Sequence, residues 1–489
     1  MTRRGRLTMA VLLAMGFASG WWAAQQVAAS MARPDSTELV VAAASGDKQA
    51  AAPAPQAQAP QAASPPAAAA PVEPPAPSAA AQLARIAPSE PPSAGMPVPV
   101  PPEPPAVPDE ILGRLPPTAR GAAAPAVAGE HVVERVPAPA GAAEIQGPLE
   151  VEYTLDPRLN GRVAEILRRQ QVELAHVIVL DPNDGRVLAY VSTDPTSFPA
   201  TRAYPMASLM KVVTAAAVLQ RDPDVTQRPC VFVGSPYHLT ASLLNPPRYG
   251  HIATFEHALA TSNNQCFAQL AVHELGASSV IDELHRLGVL ESPAPGHPSG
   301  ELDPVETPLD LGELGSGLAG TRIAPLTAAR LAATLADGRI VAPRWIARVT
   351  DASGLALALP GALQPRPALD MQTTRSLRDM LVETTESGTA SRGFHPGGRA
   401  MLGPIRVAGK TGSLNGTDPG GRYEWFIGVA PADDPRVAVA ALVVNRGRWR
   451  RSASHLAAEV LQAVFCSDGV CRDEGRRSAL RAGRASHSG

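Results

Sequence analysis

The alternation of apolar and polar positions predicts a β-hairpin near the middle of the chain. An apolar run at 177–180 is followed by Asn183-Asp184-Gly185 and by a second apolar run at 186–191. An Asp-Gly pair between two apolar runs is typical of the tight turn that joins antiparallel strands. These residues are therefore predicted to form two neighbouring strands.

A second hairpin is predicted near the end of the chain. Apolar runs at 425–429 and 437–444 flank the turn sequence Asp433-Asp434-Pro435. Residues 404–410 are predicted to form a further strand before this hairpin, and the apolar periodicity at 454–465 predicts a helix after it.

Between the two hairpins, the apolar positions follow helical spacing. Residues 209–219, 255–261 and 325–335 each repeat with the period of an amphipathic or buried helix. Strands from both ends with helices between them predict one sheet that joins the two parts, with a helical insertion. The strands do not alternate with helices, so a parallel sheet is not expected, and the class is α+β.

Composition confines this folded unit to the second part of the chain. The 51 prolines are concentrated before residue 150. The stretch 31–147 is rich in Ala, Pro, Gln and Ser and has few large apolar residues, so it is predicted to be a disordered tether. Residues 148–475 are predicted to be the globular domain, and a chain that begins near Pro148 is expected to fold alone. Residues 476–489 are predicted to be a disordered basic tail.

The first 30 residues have the pattern of an export segment. Arg3, Arg4 and Arg6 precede an uncharged apolar run at 7–24, which is just long enough to span a bilayer. The alternative is a cleaved signal peptide, processed near Val27-Ala28-Ala29. With either interpretation the domain lies outside the cytoplasm. A retained anchor implies a single span of the inner (cytoplasmic) membrane and a periplasmic domain.

Charge and cysteine content exclude some functions and favour an oxidising compartment. The net charge is −2, which gives no indication of nucleic-acid binding. Cys466 and Cys471 flank a turn-like sequence, and Cys230 and Cys266 are the other pair. Export favours disulfides over buried free thiols. Neither Cys-x-x-Cys nor His-Glu-x-x-His occurs, so no metal and no other cofactor is expected.

The distribution of lysine identifies the candidate chemistry. Lys and Arg together number 43, but the chain has only three lysines: Lys48, Lys211 and Lys410. Arginine does not lose its proton near neutral pH, whereas a buried lysine amine can act as a base. Two of the three lysines close or open short motifs, which predicts that their chemistry, and not only their charge, is used.

The first motif is Ser208-x-x-Lys211. A Ser and a Lys three residues apart share one helix face, so the Ser208 hydroxyl is expected near the Lys211 amine. Burial and a helix N-terminus both disfavour the ammonium form, and neutral Lys211 can then take the proton of Ser208. The alternative is a chance occurrence, since the motif is weak by itself.

The other motifs are Ser262-Asn263-Asn264 and Lys410-Thr411-Gly412-Ser413, the second of which follows from the strand predicted at 404–410. Ser262 is interpreted as a proton relay and Asn264 as a ligand for a substrate amide, although Ser and Asn at a helix end can also be ordinary caps. Lys410, Thr411 and Ser413 are predicted to hold a terminal carboxylate. Gly412 is predicted to keep the strand edge clear for substrate.

Ser-x-x-Lys, Ser-x-Asn and Lys-Thr-Gly in this order resemble the transpeptidase domain of penicillin-binding proteins. The resemblance covers about 151–465 and includes 153–159, Thr307-Pro308-Leu309, 387–390 and 425–428. It implies a five-stranded antiparallel sheet flanked by helices on both faces, with an all-helical subdomain. It also implies an oxyanion hole formed by the backbone N–H groups of Ser208 and Ser413.

The sequence departs from the family pattern next to the first motif. Ala207 stands where Gly is usual and Met210 where Phe is usual, which bears on substrate preference more than on mechanism. No glycosyltransferase or pedestal domain is expected before the domain.

The resemblance implies a membrane-anchored peptidoglycan D,D-transpeptidase, which forms an acyl-enzyme on Ser208 and crosslinks stem peptides. β-Lactams would then be covalent inhibitors. D,D-carboxypeptidase and β-lactamase are enzymatic alternatives. A non-catalytic penicillin-binding or wall-binding module is the alternative from another class.

Overall fold

The computed structural model describes residues 103–121, 125–140, 144–447, 451–467 and 470–471. The predicted anchor, the first part of the predicted tether and the predicted tail lie outside these residues. Within them, no helix combines the length and the apolar composition that crossing a bilayer would require.

The helices are numbered along the chain. They are α1 Asp109–Leu112, α2 Pro157–Arg169, α3 Met210–Arg221, α4 Phe255–Ala260, α5 Asn264–Gln269, α6 Gly276–Arg286, α7 Pro308–Ser316, α8 Pro325–Asp337, α9 Met371–Glu386, α10 Ser391–Phe394 and α11 Ala453–Phe465. Short 3₁₀ turns lie at Pro117–Arg120, Ala207–Leu209, Pro223–Gln227, Ala241–Leu244 and Pro396–Gly398, and the π-helical stretch Leu270–Leu275 joins α5 to α6.

The strands are numbered in the same way. They are β1 Val127–Ala128, β2 His131–Val136, β3 Leu149–Tyr153, β4 Leu174–Leu180, β5 Val187–Ser192, β6 Tyr204–Pro205, β7 Cys230–Phe232, β8 His251–Ala253, β9 Glu301–Leu302, β10 Thr321–Ile323, β11 Arg339–Ile340, β12 Ile346–Thr350, β13 Arg366–Pro367, β14 Ala408–Thr417, β15 Gly420–Ala430, β16 Val437–Asn445, β17 Cys466–Ser467 and β18 Val470–Cys471.

The predicted sheet is confirmed. Five antiparallel strands follow the order β14-β15-β16-β4-β5, so strands from both ends of the domain form one sheet. Both predicted hairpins are present, as β4–β5 and β15–β16. The helices α3 to α9 lie between β5 and β14 in the chain and supply the predicted helical part.

Alternate residues of each central strand enter two separate cores. Trp425 and Ile427 of β15 pack in the larger core, which also contains apolar residues of α3, α8 and α9. Phe426 packs in the other core, with residues of α2 and α11. This period of two is that of a sheet buried on both faces. Helices therefore cover both sides, as the α+β class implies.

One predicted strand was displaced. The strand predicted at 404–410 begins instead at Ala408 and continues through the Lys-Thr-Gly motif to Thr417. A turn in which the Ile405 amide donates to the Leu402 carbonyl precedes it, after Gly403 at φ 58°. The polar residues after Gly412 belong to an edge strand, where one side remains open to solvent.

The predicted boundary between tether and domain at residue 148 is wrong. Residues 103–121, 125–140 and 144–147, which we call the N-terminal strap, contain α1, β1 and β2. β2 pairs with β3, and β3 pairs with β12, in a second sheet. Five apolar side chains of the strap are buried in the larger core: Val107, Ile111, Ala119, Val132 and Val136.

Candidate active site

Ser208 lies in the 3₁₀ turn Ala207–Leu209 that leads directly into α3, and Lys211 lies in the first turn of that helix. The three-residue spacing brings the Lys211 amine to 2.9 Å from the Ser208 hydroxyl oxygen. Ser208 lines an open cleft, whereas Lys211 is 0% exposed. The serine is therefore accessible to a ligand, and its neighbouring amine is not.

Lys211 has two further partners, which decide the direction of its interaction with Ser208. Its Nζ lies 2.7 Å from Oδ1 of Asn264 and 2.5 Å from the backbone oxygen of Ser316, and both atoms accept hydrogen bonds only. Burial, reinforced by the charge of Lys410, lowers the Lys211 pKa well below its ordinary value. A neutral amine gives its two N–H groups to these acceptors and keeps its lone pair for the Ser208 hydroxyl.

Asn264 and Ser262 come from the junction between α4 and α5. Ser262 has a φ of 62°, and the side chain of Asn263 caps α5, so the chain turns sharply and presents both neighbours to the cleft. Asn264 also donates through Nδ2 to the backbone oxygen of Tyr237 at 2.9 Å. One Nδ2 hydrogen is left for a ligand, as the expected amide-binding role requires.

Lys410 is also 0% exposed, and its amine lies 3.0 Å from Oγ of Ser262 and 3.0 Å from the backbone oxygen of Thr411. Burial lowers its pKa to about 7. The residues are 148 positions apart in the chain, so this contact is not visible in the sequence. Lys410 therefore belongs to the Ser262 side of the site.

Thr411 and Ser413 project on the other side of the strand from Lys410. In the β14–β15 pairing, Lys410 stands opposite Ile427 of the larger core, and Thr411 stands opposite Phe426 of the other core. Directly opposed residues share a face of the sheet. The joint role of Lys410 and the two hydroxyls in holding one carboxylate stays a prediction, with the amine placed beside Ser262 and the Thr411 carbonyl.

Gly412 stands where β14 passes the segment that carries Ser208. A Cβ atom added to Gly412 would lie 3.3 Å from the Leu209 amide nitrogen, the Met206 oxygen and the Ala207 Cβ. Ala207 itself has a φ of 52°, in the left-handed region that favours glycine. The nucleophile is thus held in a close approach of two backbone segments, one of them strained.

Residues for which the sequence predicted no role in the site surround the two hydroxyls. The Thr389 hydroxyl is hydrogen-bonded to the Thr411 hydroxyl. Arg422 on β15 donates from Nη2 to Oγ of Ser413 at 2.9 Å and from Nε to Glu424 at 3.1 Å. The register of the β14–β15 hairpin is the signal that connects Glu424 with the site, because it sets Glu424 opposite Ser413.

These groups line one cleft of about 720 Å³, a volume typical of ligand sites. Residues of the three motifs share it with residues of β14, β15, α10 and the start of α11. Those from the motifs are Ser208, Ser262, Asn264, Thr411, Gly412 and Ser413, and the others include Tyr237, Thr389, Ser391, Arg392, Asn415, Arg422, Glu424, Ser452 and Ser454.

Both predicted disulfides are confirmed. Cys230 of β7 is bonded to Cys266 of α5, the helix that begins with Asn264, and Cys466 is bonded to Cys471 after α11. The first bridge fixes the loop that supplies the Tyr237 carbonyl to the helix that carries Asn264. In the parts of the chain that the structure describes, no group of three or more His, Cys, Asp and Glu side chains has the arrangement of a metal site.

Comparison with known proteins identifies the family. Residues 175–465 match the penicillin binding protein transpeptidase domain, which is more than half of the chain. The chain belongs to the penicillin-binding protein transpeptidase family. The three motifs that meet around Ser208 all lie inside the matched region of this transpeptidase domain.

Two relatives from mycobacteria define the similarity further. The peptidoglycan D,D-transpeptidase PbpA of Mycolicibacterium smegmatis is 30% identical over 340 residues, which are 60% of this chain and 66% of that protein. PbpA of Mycobacterium tuberculosis is 28% identical over 335 residues, 59% of this chain and 66% of the relative. The chain thus spans just under two thirds of the length of these relatives.

Solved structures agree with the architecture. The ceftriaxone acyl-enzyme complex of penicillin-binding protein A from M. tuberculosis superposes with a TM-score of 0.53 at 25% identity, over 64% of this chain and 78% of that one. The D,D-transpeptidase domain of a peptidoglycan glycosyltransferase from Eggerthella lenta has the same TM-score at 24% identity, over 64% of this chain and 82% of that one, and supports the fold alone.

Proposed function

We propose that this domain is a serine D,D-transpeptidase that acts on peptidoglycan stem peptides ending in D-Ala-D-Ala and is acylated by β-lactams. The observation that carries the proposal is the Ser208–Lys211 pair. The hydroxyl and the amine are 2.9 Å apart, and the amine is buried with its other partners already in place. The printed names of both mycobacterial relatives support the same activity.

In the proposed acylation, neutral Lys211 takes the proton of Ser208, and Oγ attacks the carbonyl carbon between the two D-alanines. Backbone N–H groups of Ser208 and Ser413 stabilise the oxyanion. Lys410 donates to Oγ of Ser262, so the Ser262 O–H is free to give a proton to the departing D-alanine nitrogen. The Lys410 ammonium, which already contacts Oγ of Ser262, gives Ser262 a proton in its place. The step therefore ends with Lys211 protonated and Lys410 neutral, and the number of protons is unchanged.

In the second step, an amine of a neighbouring stem peptide attacks the ester carbon. The C–N bond forms, the C–Oγ bond breaks, and one amine proton returns to Ser208. If water replaces the amine, the product is that of a D,D-carboxypeptidase. The geometry around Ser208 serves both acceptors, so the crosslinking activity rests on the similarity to the two transpeptidases.

A β-lactamase is disfavoured by the charges of the cleft. Such an enzyme needs a base that activates water against the acyl-enzyme. Among the described residues that line the cleft, Glu424 is the one carboxylate, and Arg422 holds it. Asp310, which lies between the second and third motifs in the chain, closes the capping box of α7 with Thr307. The acyl-enzyme is therefore expected to last minutes to hours.

The site is proposed to work outside the cytoplasm. Two disulfides in a domain of this size are typical of an oxidising compartment. The apolar run at 7–24 is proposed to anchor the chain in the inner membrane, with the domain on the periplasmic side.

Labelling with a fluorescent penicillin tests the proposal. We expect one adduct per chain, which mass spectrometry places on the peptide that contains Ser208. Ser208→Ala should abolish labelling, whereas Ser242→Ala, at an exposed serine outside the cleft, should leave it unchanged. An adduct on another residue would refute the assignment. Sustained turnover of a chromogenic cephalosporin faster than about one per second would favour a β-lactamase.

A further inference from the structure

The two N–H groups that are expected to form the oxyanion hole belong to different parts of the fold. That of Ser208 belongs to residues 204–209, which we call the nucleophile segment, and that of Ser413 belongs to β14. Neither part alone fixes the distance between the two groups. The contacts that hold the nucleophile segment against the β14–β15 hairpin therefore decide whether both N–H groups can donate to one oxygen.

Trp425 makes such a contact from the strand next to β14. Its indole Nε1–H donates to the backbone oxygen of Pro205 at 2.8 Å, and its side chain is 1% exposed. A buried indole N–H is a donor that needs a partner, and here the partner lies three residues before Ser208. The bond thus connects β15 directly with the nucleophile segment.

The strand register puts Trp425 beside the point where the nucleophile segment meets β14. Trp425 stands opposite Gly412 in the β14–β15 pairing, so the two residues share a face of the sheet. A Cβ atom added to Gly412 would lie 3.3 Å from the Met206 oxygen and from the Leu209 nitrogen. Trp425 and Gly412 therefore contact the same stretch of chain, one by a hydrogen bond and the other by close packing.

The nucleophile segment needs such contacts because part of it is strained. Ala207 has a φ of 52°, which an L-residue keeps only where its surroundings over-determine the backbone. β10 holds the segment from one side, by pairing with β6 and by the bond from the Met206 amide to the Thr321 carbonyl at 3.0 Å. Trp425 holds it from the sheet. Loss of this second contact would let Ala207 relax and carry Ser208 away from β14.

We propose that Trp425 is a positioning residue for acylation. Its indole N–H holds Pro205, and through it Ser208, at the distance from Ser413 at which both backbone N–H groups donate to the same oxyanion. The inference rests on the proposed function and names a residue of β15 on which that function depends. Trp425 acts through Ser208 and exchanges no proton, so the protonation of Lys211 does not depend on it.

Trp425→Phe tests the proposal, because it removes the indole N–H and keeps an aromatic ring. Acylation measured over a range of benzylpenicillin concentrations gives the rate constant of the chemical step and the dissociation constant of the complex that precedes it. We expect the rate constant to fall on the order of tenfold to a hundredfold, the effect of a misplaced reacting group, at an unchanged dissociation constant. The pH midpoint of acylation should also be unchanged, because Lys211 keeps its surroundings.

Trp345→Phe is the matched control. Trp345 is 3% exposed, and its indole Nε1–H donates to the Arg114 carbonyl in the N-terminal strap, also at 2.8 Å. Trp345 does not line the cleft. The control removes the same kind of buried bond and should lower the thermal unfolding midpoint by a similar amount. Its rate constant and dissociation constant should equal those of the wild type.

A second variant keeps the test valid if Trp425→Phe does not fold. Benzothienylalanine at position 425 replaces the indole N–H by sulfur and keeps the size of the ring system. It removes the bond to the Pro205 carbonyl without leaving a cavity, and the rate constant should fall as in Trp425→Phe.

The outcomes distinguish this inference from the proposed function. If the wild-type protein is not acylated, the proposed function fails, and this inference with it. If the wild type is acylated but the folded variants at position 425 react at the same rate, or Trp345→Phe loses as much, the positioning role is overturned. A higher dissociation constant at an unchanged rate constant would also overturn it, because Trp425 would then belong to the binding surface.

Discussion

The catalytic cleft and the N-terminal strap use ionisable side chains in opposite ways. In the cleft, Lys211 and Lys410 are completely buried, and neither has a carboxylate partner among the described residues. In the strap, Glu134 accepts hydrogen bonds from Arg114, Arg120 and Tyr153. Burial would raise the Glu134 pKa, but these bonds lower it to about 2. Burial in the cleft lowers the pKa of both lysines, whereas hydrogen bonds in the strap keep the Glu134 carboxylate charged.

This difference predicts whether a substitution should change acylation or stability. Burying an amine that has no carboxylate partner lowers the free energy of unfolding. A protein keeps such an amine when a reaction needs it. Pairing a carboxylate with two arginines and a phenol contributes stability but supplies no reactive group. Changes in the cleft should therefore affect acylation more than stability, and changes in the strap should do the reverse.

The largest effect is expected for Lys211→Arg. Arginine keeps the positive charge but cannot accept the Ser208 proton, so acylation by penicillin should fall on the order of a thousandfold or more. Lys211→Met, which removes the amine with little change in length, should show a similar loss. The acylation rates are measured from labelling reactions that are quenched at successive times, and circular dichroism shows whether each variant is folded. A rate close to that of the wild type in either variant would show that Lys211 is not the base.

The pH dependence of the wild-type acylation rate also tests whether Lys211 is the base. Because burial and the charge of Lys410 lower the Lys211 pKa, the neutral base is available well below the ordinary lysine pKa. Acylation should rise with pH and reach its plateau below about pH 10.4, the unperturbed lysine value. A midpoint near that value would indicate a solvated, unperturbed lysine.

The next largest effect is expected when the strap is removed. A chain that begins at Pro148 lacks the buried side chains of Ile111, Val132 and Val136 and leaves β3 without its β2 partner. Burial of each such side chain contributes about 1.5–3 kcal/mol, so we expect the unfolding midpoint to fall by about 5 °C or more.

The measurement is thermal unfolding of both chains by circular dichroism, with acylation rates determined below both midpoints. Those rates should agree, because the strap contributes no residue to the cleft lining. Equal midpoints would show that the strap is a tether after all. A slower acylation rate in a fully folded short chain would show that the strap also supports the site.

The sequence was sufficient for the features that depend on local spacing. The Ser208–Lys211 contact follows from a separation of three residues, and both hairpins follow from strand alternation around a turn. The strap was missed because the alternation of Val132 and Val136 lies within a proline- and alanine-rich stretch. Its strand partner, β3, could be assigned only from the folded register.

The parts of the site that the sequence did not reveal depend on distant segments. Lys410 and Ser262 are 148 residues apart in the chain, so their contact is not visible in the sequence. The motif alone did not show that the Lys410 amine and the Thr411 hydroxyl lie in different places. Arg392 and Arg422 were two among many arginines. Only the packing of α10 and the pairing of β14 with β15 bring them to the cleft.

A smaller effect is expected for Glu134→Gln in the strap. The amide cannot replace the charge-assisted bonds to Arg114 and Arg120, so we expect a loss of about 1–3 kcal/mol in the free energy of unfolding at pH 7. The Glu134 pKa is lowered by folding, so its contribution is present above the unfolded value and is lost as pH falls from about 4.5 towards about 2.

Denaturant titrations of both proteins at pH 7 and pH 3 measure this difference. Glu165→Gln, which removes an exposed pair with Arg168, is the matched control and should change the free energy of unfolding much less, because solvent screens an exposed pair. A difference between Glu134→Gln and wild type that does not shrink at pH 3 would contradict the ionic origin of the effect.

The smallest effect is expected for Ala207→Gly, in which the cleft itself gains stability. Ala207 has a φ of 52°, and an L-residue in this region costs about 1–2 kcal/mol. Glycine removes that strain but adds conformational entropy to the unfolded chain, so the net gain in the free energy of unfolding should be about 1 kcal/mol or less.

Ala336→Gly, near the end of α8, is the control. It should instead lose about 0.5–1 kcal/mol, because glycine weakens a helix. Denaturant titration distinguishes the two signs. A loss in Ala207→Gly equal to that in Ala336→Gly would show that Ala207 is unstrained.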